Sequence, residues 1–319
     1  MTELIVTVRM TDSIDTQLHY YNKAGIKHYR INLGRSNPDK NNQLINKIRR
    51  EVDNAHIYLD IPGKKERIQH LDSHQSIQAG DIFCVSIADN RSTQSLKFQN
   101  STTIDTIATG DILIFGDNAV KAQVLQRETM YIELKAITSG RIKSRAGIIN
   151  LSKYVPQKTV TEQERIMLSM YDAEDICWGI SFADTVERIE QCRQLIKKGR
   201  IIAKVESPAG VANFPSYFHL IDGLMLARGD LGVFYSVEEM DKILEDMLVK
   251  SNGKLPSVIA ATNYFYHLGE SGEIDVLEQR SLRKVFEKSV AYVMTNETSH
   301  SQYWKEIIQE YIACKETVG

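Results

Sequence analysis

The sequence predicts an α/β protein, a (β/α)8 TIM barrel with a small all-β domain inserted after the third strand. Eight short apolar runs recur along the chain, and amphipathic segments such as 42–52, 186–198 and 237–250 separate most of them. Most of the runs are continuously apolar, as expected for parallel strands that are covered on both faces. The strand–helix rhythm is interrupted once, between residues 61 and 176.

The apolar runs are the predicted barrel strands, and each is bounded by polar or glycine residues. They lie at 4–8, 29–33, 57–61, 176–182, 201–205, 223–227, 257–261 and 291–294. Eight such units, each a strand followed by a helix, are typical of a closed barrel.

The interruption has a different pattern. Short β-like pieces separated by glycine-containing turns occur at 81–86, 111–115, 119–125, 130–136 and 141–151. We therefore expect a barrel formed by residues 1–68 and 154–319, and an inserted β-domain formed by residues 69–153. Its two linkers would lie at the C-terminal mouth of the barrel, where a hinged domain is placed to act as a lid.

Length and composition describe an ordinary globular chain. It has 319 residues, 42% hydrophobic and 25% charged, which suits one large domain or a large domain with a small one. The formal net charge of -2 gives no general attraction to nucleic acid or to anionic membranes. Basic clusters at 64–67 and 141–145 are therefore interpreted as solvated faces, and neither nucleic acid nor a membrane is expected as a partner.

Cysteine usage and the N-terminal segment indicate a cytoplasmic protein. The cysteines are widely spaced and form no CxxC pair, which favours free thiols in a reducing compartment. The apolar stretch at the N-terminus is too short and too charged for a signal peptide. No apolar run approaches the roughly 18 residues that span a bilayer. The oligomeric state stays open, and a homo-oligomer is compatible with the sequence.

Two successive predicted strands end in charged residues that suit metal-dependent chemistry. Residues 201–206 read IIAKVE, which directs Lys204 and Glu206 to one face because strand side chains alternate. The next run leads into Arg228-Gly229-Asp230. If these runs are neighbouring parallel strands, Glu206 and Asp230 can share one divalent cation beside Lys204, which suits a phosphorylated or enolic acid. The structural alternative is a buried Lys–Glu salt bridge and a Gly-Asp turn.

The chain resembles the pyruvate kinase family over nearly its whole length. The most specific match is IIAKVESPAGV followed by DGLMLARGDLGV, within 201–233, which covers two successive barrel units. Weaker matches are Arg30-Ile31-Asn32-Leu33, Asp60-x-x-Gly63 with Arg67, and the stretches 110–114, 144–147, 258–262 and 296–298. Pyruvate kinases typically carry a further C-terminal α/β domain for regulation and assembly. This sequence ends at about the helix after the eighth strand, so the resemblance predicts a divergent member that lacks that domain and its allosteric control.

The resemblance implies roles for the residues around the predicted metal. Glu206 and Asp230 would hold Mg2+ or Mn2+, and Lys204 would act as a catalytic residue that stabilises enolate and phosphoryl oxygens. The backbone N–H groups of Gly229 and Asp230 would bind the substrate carboxylate, with Arg228 beside them.

Further roles are implied around the barrel mouth. Thr262 would donate its hydroxyl to the substrate carboxylate and relay a proton to the enolate carbon through water. Arg30 would be a third catalytic residue that clamps the phosphate, and Arg67 would contact the same transferable group. Asn32 and Asp60 would order that side of the mouth. The structural alternative for both is a turn or cap hydrogen bond.

Several departures from the family pattern concern the monovalent cation and the nucleotide. Gly34 and Ile61 stand where the family has a serine and a threonine that help to hold a monovalent cation, which argues against a potassium site. Ala146 stands where the family has a lysine that meets nucleotide phosphates, which argues against a nucleotide. Residues 263–264 read Asn-Tyr in place of Gln-Met.

These observations leave three functions open. The leading one is a pyruvate kinase-like phosphotransferase that depends on Mg2+ or Mn2+ and acts on phosphoenolpyruvate, pyruvate or a related 2-oxo acid through a stabilised enolate. The second is a metal-dependent aldolase, lyase or decarboxylase on a 2-oxo acid without a nucleotide. The third is a non-catalytic relative that binds a metabolite. The joint presence of Lys204, Glu206 and Asp230 argues against the third.

Overall fold

The computed structural model describes residues 2–35, 37–87, 95–99, 104–116, 118–252, 254–255 and 257–318. The strands that precede the insertion are β1 (Glu3–Thr7), β2 (His28–Asn32) and β3 (His56–Ile61). The strands within it are β4 (Glu66–Arg67), β5 (Gln75–Ile77), β6 (Ile82–Ser86), β7 (Ser95–Lys97), β8 (Ile112–Phe115), β9 (Val120–Arg127), β10 (Tyr131–Ala136), β11 (Gly140–Ile142) and β12 (Gly147–Asn150). The strands that follow it are β13 (Ile176–Ile180), β14 (Arg200–Val205), β15 (Gly223–Ala227), β16 (Val258–Ala261) and β17 (Tyr292–Thr295).

The helices lie mainly between the barrel strands. They are α1 (Ile14–Lys23), α2 (Pro38–Glu51), α3 (Glu162–Tyr171), α4 (Val186–Leu195), α5 (Pro208–Asn213), α6 (Arg228–Leu231), α7 (Val237–Ser251), α8 (Tyr266–Ser271), α9 (Val276–Glu287) and α10 (Trp304–Val318). Short 3-10 helices occupy Leu33–Arg35, Ile104–Thr106, Phe214–Leu220 and Glu297–Ser299.

Side-chain caps define where several helices begin. The Thr161 hydroxyl accepts from the Glu164 N–H while the Glu164 carboxylate accepts from the Thr161 N–H, and Ser236 and Glu239 repeat this capping box before α7. The Asn37 side chain caps α2 in front of Pro38. These contacts satisfy N–H groups that have no partner within the helix, so the sequence itself fixes the strand-to-helix turns.

The strands outside the insertion close into a parallel barrel in the order β1-β17-β16-β15-β14-β13-β3-β2. Each predicted apolar run overlaps one of these strands, so the predicted (β/α)8 barrel is confirmed. Because β3 pairs directly with β13, the chain leaves the barrel after β3 and returns without a gap in the sheet.

The chain divides into two compact units. One comprises Met1–Gly63, Pro156–Leu231 and Ser236–Gly319, and the other comprises Lys64–Val155 with Gly232–Tyr235. The sequence placed the first limit between residues 68 and 69. The second unit starts earlier because Glu66 and Arg67 form β4, which pairs with β12.

The second unit has its own sheet and its own core. Its main sheet has the order β4-β12-β8-β9-β10-β6-β7, and β11 pairs with β5. All of the β-like pieces read from the sequence overlap these strands, while β4, β5 and β7 were not foreseen because they are too short to show a period. The core includes Ile68, Phe115, Leu134, Ala146 and Ile148.

Alternate residues of the barrel strands fill the barrel interior. One apolar cluster joins Ile5, Tyr58, Cys177, Ile202, Met225, Ile259, Ala261 and Met294, drawn from β1, β3 and β13–β17. Since side chains alternate, the residues that follow Ile202 on the same face of β14 are Lys204 and then Glu206. The fold therefore places Lys204 and Glu206 on the same face, as the sequence predicts.

Within the described residues no helix is long and apolar enough to cross a membrane.

A cluster of titratable rings occupies the opposite end of the strands. The rings of His28 and His56 stack with centroids 4.9 Å apart, and His28 Nε2 contacts Glu3 Oε2. The Tyr58 hydroxyl lies 3.3 Å from His28 Nδ1. Arg200 Nη2 donates to His56 Nδ1 at 3.1 Å. Because a guanidinium can only donate, His56 Nδ1 carries no proton in this arrangement and the ring is neutral.

Both histidines resist protonation in the folded state. Burial lowers the pKa of His56, and the Arg200 guanidinium lowers it further. Burial also lowers the pKa of His28. Glu3 acts to raise it, but burial and the neighbouring His56 together outweigh that effect. A group whose pKa is lower in the folded than in the unfolded state stabilises the fold at pH values above its unfolded-state pKa, which is near 6.5 for histidine. This stability is lost as the pH falls through the folded-state pKa.

The free energy of unfolding is therefore expected to decrease between about pH 7 and pH 5.5, above the range where ordinary carboxylates titrate. His56→Gln keeps an acceptor for Arg200 but cannot be protonated, so it should reduce this pH dependence. Urea denaturation at both pH values measures the effect, and exposed His219→Gln is the control. An equal pH dependence in wild type and His56→Gln would contradict the role of this cluster.

Candidate active site

The C-terminal ends of the barrel strands bring several of the predicted site residues together. Arg30 lies on β2, Asp60 on β3 and Lys204 on β14, while Glu206 follows β14 directly. All four are buried. Parallel strands place their C-terminal ends at one rim of a barrel, which is why residues distant in sequence meet there.

Lys204 is the centre of this group. Its Nζ lies 2.8 Å from Glu206 Oε1 and 3.0 Å from Asp60 Oδ1, and it donates to Ser181 Oγ at 2.9 Å. The ion pairs to the two carboxylates and the hydrogen bond to Ser181 together fix the position of this ammonium group. Lys204 therefore bridges two carboxylates, of which the sequence had paired only Glu206 with it.

Asp60 also holds Arg30 in place. Arg30 Nη2 contacts Asp60 Oδ2 at 2.6 Å, and Arg30 Nη1 donates to Thr7 Oγ1 at 3.2 Å and to Asn296 Oδ1 at 3.1 Å. The buried Nε of Arg30 has no hydrogen-bond partner among the described residues. Residues of β1, β3 and the end of β17 thus fix the guanidinium, and its Nε–H stays available as a hydrogen-bond donor.

Glu206 is held by a strained backbone. Its Oε2 accepts from the N–H of Phe182 at 2.8 Å, and Phe182 has a φ of 50°. Thr262 and Asn263 also have positive φ, at 65° and 59°. Non-glycine residues seldom adopt this left-handed region, and such strain is concentrated at functional sites. Here it occurs after two of the barrel strands, β13 and β16.

The charges of the group perturb one another. Burial acts to raise the pKa of Asp60, but Lys204 and Arg30 outweigh it and hold that pKa below its ordinary value. Burial acts to lower the pKa of Lys204, but Asp60 and Glu206 outweigh it and raise that pKa. Burial raises the pKa of Glu206, the Asp230 and Asp60 carboxylates raise it further, and Lys204 offsets them only in part. Asp230 therefore lies close enough to Glu206 for their charges to interact.

This charge balance fits a divalent cation. The Asp230 and Asp60 carboxylates both raise the pKa of Glu206, and a bound cation would offset this interaction between like charges. No group of three or more His, Cys, Asp or Glu residues with the geometry of a complete metal site occurs within the described part of the chain. A site with two carboxylates suits Mg2+ or Mn2+, which commonly take their remaining ligands from substrate and water.

Two residues of the predicted carboxylate-binding corner lie together at α6. The N–H of Gly229 donates to Thr262 Oγ1 at 2.9 Å, and the Thr262 hydroxyl donates to the carbonyl of Ala261 at 2.7 Å. Gly229 and Thr262 are therefore adjacent, as expected. The hydroxyl that was assigned to a substrate is used by the protein in this arrangement, and it must rotate before it can donate elsewhere.

The other predicted residues have separate environments. Arg228 is buried with its guanidinium over the Tyr264 ring, 4.5 Å from the centroid, and its Nε and Nη1 have no hydrogen-bond partner among the described residues. Asn32 Oδ1 accepts from the N–H of Gly34 at 3.0 Å, which is the turn contact that was the structural alternative for this residue. Arg67 lies on β4 of the second unit, where its Nη1 donates to the carbonyl of Arg145 at 3.1 Å.

Sequence reasoning missed Ser181, Gly179 and Asn296. Gly179 pairs with Asp60 in the barrel register, and a Cβ atom at Gly179 would lie 2.7 Å from Asp60 Oδ1 and 3.4 Å from Lys204 Cδ. The glycine thus provides the space in which Asp60 and Lys204 meet. The period of two groups Cys177, Gly179 and Ser181 on one face, and the structure shows that this face points to the barrel interior.

Comparisons with known proteins all point to one family. A family model described as "Pyruvate kinase, barrel domain" matches residues 1–302. The pyruvate kinase of Aeropyrum pernix is 22% identical over 96% of this chain and 68% of its own length, and that of Agaricus bisporus is 27% identical over 82% of this chain and 52% of its own length. A crystal structure of a pyruvate kinase from Cryptosporidium parvum aligns with 99% of this chain and 69% of that chain, at a TM-score of 0.83 and 20% identity, which shows the fold. The chain spans between about half and two thirds of the length of these relatives.

Gly179→Ala tests the space at the centre of the site. The added methyl group must displace the Asp60 carboxylate, so we expect the free energy of unfolding to fall by about 1–3 kcal/mol, the usual cost of overpacking. Buried Gly210 lies in α5, where a Cβ atom would be at ordinary contact distances, so Gly210→Ala is the matched control. Urea denaturation measures both variants. Equal stability of Gly179→Ala and wild type would contradict the close approach of Asp60.

Proposed function

Because the chain belongs to the pyruvate kinase family, we propose that it is a divalent-metal-dependent phosphotransferase that acts on phosphoenolpyruvate, pyruvate or a related 2-oxo acid through a stabilised enolate. The single observation that carries this proposal is the buried Lys204, held by Asp60 and Glu206 at the C-terminal rim of the barrel. Active sites of barrel enzymes lie at this rim.

Lys204 serves as a fixed positive charge rather than as a base. Its pKa is raised by Asp60 and Glu206 in spite of burial, so the amine stays protonated at neutral pH. A protonated lysine cannot accept a proton from substrate, but it stabilises negative charge that develops on an enolate or phosphoryl oxygen. A substrate oxygen would take the place of one present partner, and Ser181 is the only neutral one of the three described above.

Glu206 and Asp230 are the proposed ligands of Mg2+ or Mn2+. Glu206 already binds Lys204 through Oε1 and the Phe182 N–H through Oε2, yet a carboxylate has further lone pairs that can accept. Burial raises the pKa of Glu206, and the Asp230 and Asp60 carboxylates raise it further, so a bound cation would favour the charged form of this residue. When bound there, the cation would act as a Lewis acid toward substrate oxygens.

Arg30, Thr262 and Gly229 are proposed to position the substrate. The Arg30 guanidinium is fixed by Asp60 and Asn296, and its free Nε–H supports a role as a phosphate clamp. The Gly229 N–H and the Thr262 hydroxyl, which now bond to each other, would both turn to the substrate carboxylate. Release of the Thr262 hydroxyl from Ala261 would also leave it able to pass a proton to the enolate carbon through water.

The remaining site residues are proposed to support this arrangement. Arg228, packed on Tyr264, would hold the start of α6 and so the Gly229 and Asp230 backbone. Asn32 would fix the turn after β2 through Gly34. Arg67 stays a proposed phosphate-binding residue. The side chains at Gly34 and Ile61 offer no oxygen for a monovalent cation, which supports independence from potassium.

A second candidate keeps the enolate and omits the nucleotide. It is supported by Ala146, which is buried in the core of the second unit and offers no charge to a phosphate. A metal-dependent aldolase, lyase or decarboxylase on a 2-oxo acid would need Lys204, Glu206 and Asp230 but no positive charge for a nucleotide.

Two reactions separate these candidates. With Mg2+ present, the enzyme should exchange the methyl protons of pyruvate with solvent, which 1H NMR in D2O detects, and it should form ATP from phosphoenolpyruvate and ADP. Lys204→Met should lower both rates by about 100-fold or more, as for the loss of one electrostatic stabiliser. Replacing K+ with tetramethylammonium at constant ionic strength should change them little.

Exposed Lys198→Met is the control, and circular dichroism establishes that each variant is folded. Proton exchange without ATP formation would favour the second candidate. Unchanged exchange in folded Lys204→Met would contradict the proposal that this lysine stabilises the enolate.

A further inference from the structure

We propose that Arg188, on the outer helix α4, is a positioning residue of the candidate active site. It fixes the loop of residues 181–184 after β13, and the first two residues of this loop contact Lys204 and Glu206. This inference rests on the proposed function, since it names a residue outside the rim that sets the metal-binding geometry of that site.

Arg188 is a buried cation whose three nitrogens all donate to acceptors on other segments. Its Nη2 lies 2.6 Å from Glu164 Oε1, and the side chains of both residues are almost completely buried. Its Nε and Nη2 donate to the Ser181 carbonyl at 3.2 and 3.0 Å, and its Nη1 donates to the Thr159 carbonyl at 2.6 Å. The planar guanidinium thus holds the Ser181 carbonyl through two nitrogens, a geometry that a lysine cannot reproduce.

One peptide group connects Arg188 with Glu206. The Ser181 carbonyl and the Phe182 N–H belong to the same planar peptide, and in a trans peptide they point in opposite directions. Arg188 holds the carbonyl of this peptide, while its N–H donates to Glu206 Oε2 at 2.8 Å. A rotation of the peptide that released Arg188 would therefore also turn the N–H away from Glu206.

The same loop also contacts the lysine of the site. The Ser181 hydroxyl accepts from Lys204 Nζ at 2.9 Å, and Glu206 Oε1 lies 2.8 Å from the same Nζ. Glu206 is thus oriented by the loop through one oxygen and by Lys204 through the other. The position of the 181–182 peptide sets the direction in which this carboxylate can offer its remaining lone pairs to a cation.

The loop needs such an anchor because its backbone is strained. Residues 181–184 lie outside the helices and strands, and Phe182 has a φ of 50°. A non-glycine residue keeps this conformation only where the surrounding structure holds it. Side chains further along the chain donate to the carbonyls of residues 183 and 184, and Arg188 holds the carbonyl immediately before the strained residue.

The ion pair itself is also held in place. Glu164 is the last residue of the capping box of α3, where its carboxylate accepts from the Thr161 N–H at 2.8 Å. Its orientation toward Arg188 is therefore set by the start of this helix. A buried ion pair contributes little to stability, because the loss of hydration offsets the attraction between the charges. The orientation of the 181–182 peptide explains its presence between α3, α4 and the site.

NMR of the full chain labelled with 15N-phenylalanine tests the contact without any ligand. The chain has nine phenylalanines, and Phe182→Leu identifies the signal of this residue. Arg188→Lys keeps a positive charge beside Glu164 but loses the planar fork. The amide hydrogen exchange of Phe182 should therefore accelerate about tenfold or more, while the other phenylalanine amides exchange as in wild type.

Binding of Mn2+ alone, measured from the EPR signal of the free ion, tests the consequence for the site. Arg188→Lys should weaken this affinity about tenfold, because Glu206 loses its fixed orientation. Arg193→Lys is the matched control, since Arg193 lies on the same helix and donates to the Leu220 carbonyl and to Asp222 instead. It should match wild type in Phe182 exchange and in Mn2+ affinity.

Equal exchange of the Phe182 amide in Arg188→Lys and wild type would overturn the inference, and so would faster exchange with wild-type Mn2+ affinity. If Arg188→Lys does not fold, Arg188→Met combined with Glu164→Gln removes both charges together, and the same outcomes apply to it.

The proposed function is tested separately by wild type. Absence of both Mn2+ binding and pyruvate proton exchange in wild type would defeat the proposed function and the metal-binding part of this inference. The Phe182 exchange needs neither metal nor substrate, so it would still decide whether Arg188 fixes the peptide. Mn2+ binding and proton exchange by wild type, with equal Mn2+ affinity in Arg188→Lys, would defeat the role of Arg188 alone.

Discussion

A buried lysine shared by two carboxylates is the constraint on which the rest of the site depends. Removal of Lys204 would leave Glu206 without its lysine partner and Asp60 with Arg30 alone. The loss of one partner from a buried ion pair typically costs about 3–5 kcal/mol. Buried ion pairs are weak contributors to stability compared with apolar packing, so their presence at the rim favours a functional explanation. Gly179 provides the space in which Lys204 approaches Asp60. The Phe182 N–H donates to Glu206, and Asp60 in turn forms an ion pair with Arg30. One ammonium group thus orders residues from several strands.

The barrel separates two electrostatic environments along its axis. Its apolar interior cluster lies between a rim that collects Asp60, Lys204 and Glu206 and an opposite end where His28 and His56 stack as neutral rings. At the rim, each charge raises or lowers the pKa of its neighbours so that Lys204 stays protonated. At the other end, Arg200 and burial disfavour protonation of His56. The first arrangement is suited to stabilise negative charge on a ligand, while the second ties folding to neutral pH.

Much of the fold could be predicted from the sequence because the barrel strands are buried on both faces. Their continuous apolar runs are recognisable without a partner, and the period of two places Lys204 and Glu206 together before the structure is known. Contacts that depend on register between distant strands could not be predicted. The ion pair between Lys204 and Asp60 requires Gly179 opposite Asp60. The strands β4, β5 and β7 are too short to show a period, and the stacking of Arg228 on Tyr264 follows no local pattern.

The binding of a divalent cation by Glu206 beside Asp230 tests the central claim most directly. Thermal unfolding with and without Mn2+ and oxalate, an enolpyruvate mimic, measures it, because a ligand that binds only the folded state raises the melting temperature. Wild type should show a concentration-dependent increase, and exposed Glu190→Gln should show the same increase. Glu206→Gln should show none while retaining a cooperative transition. An equal increase in Glu206→Gln and wild type would contradict the assignment of Glu206 as a metal ligand and would leave the carboxylate as a structural partner of Lys204.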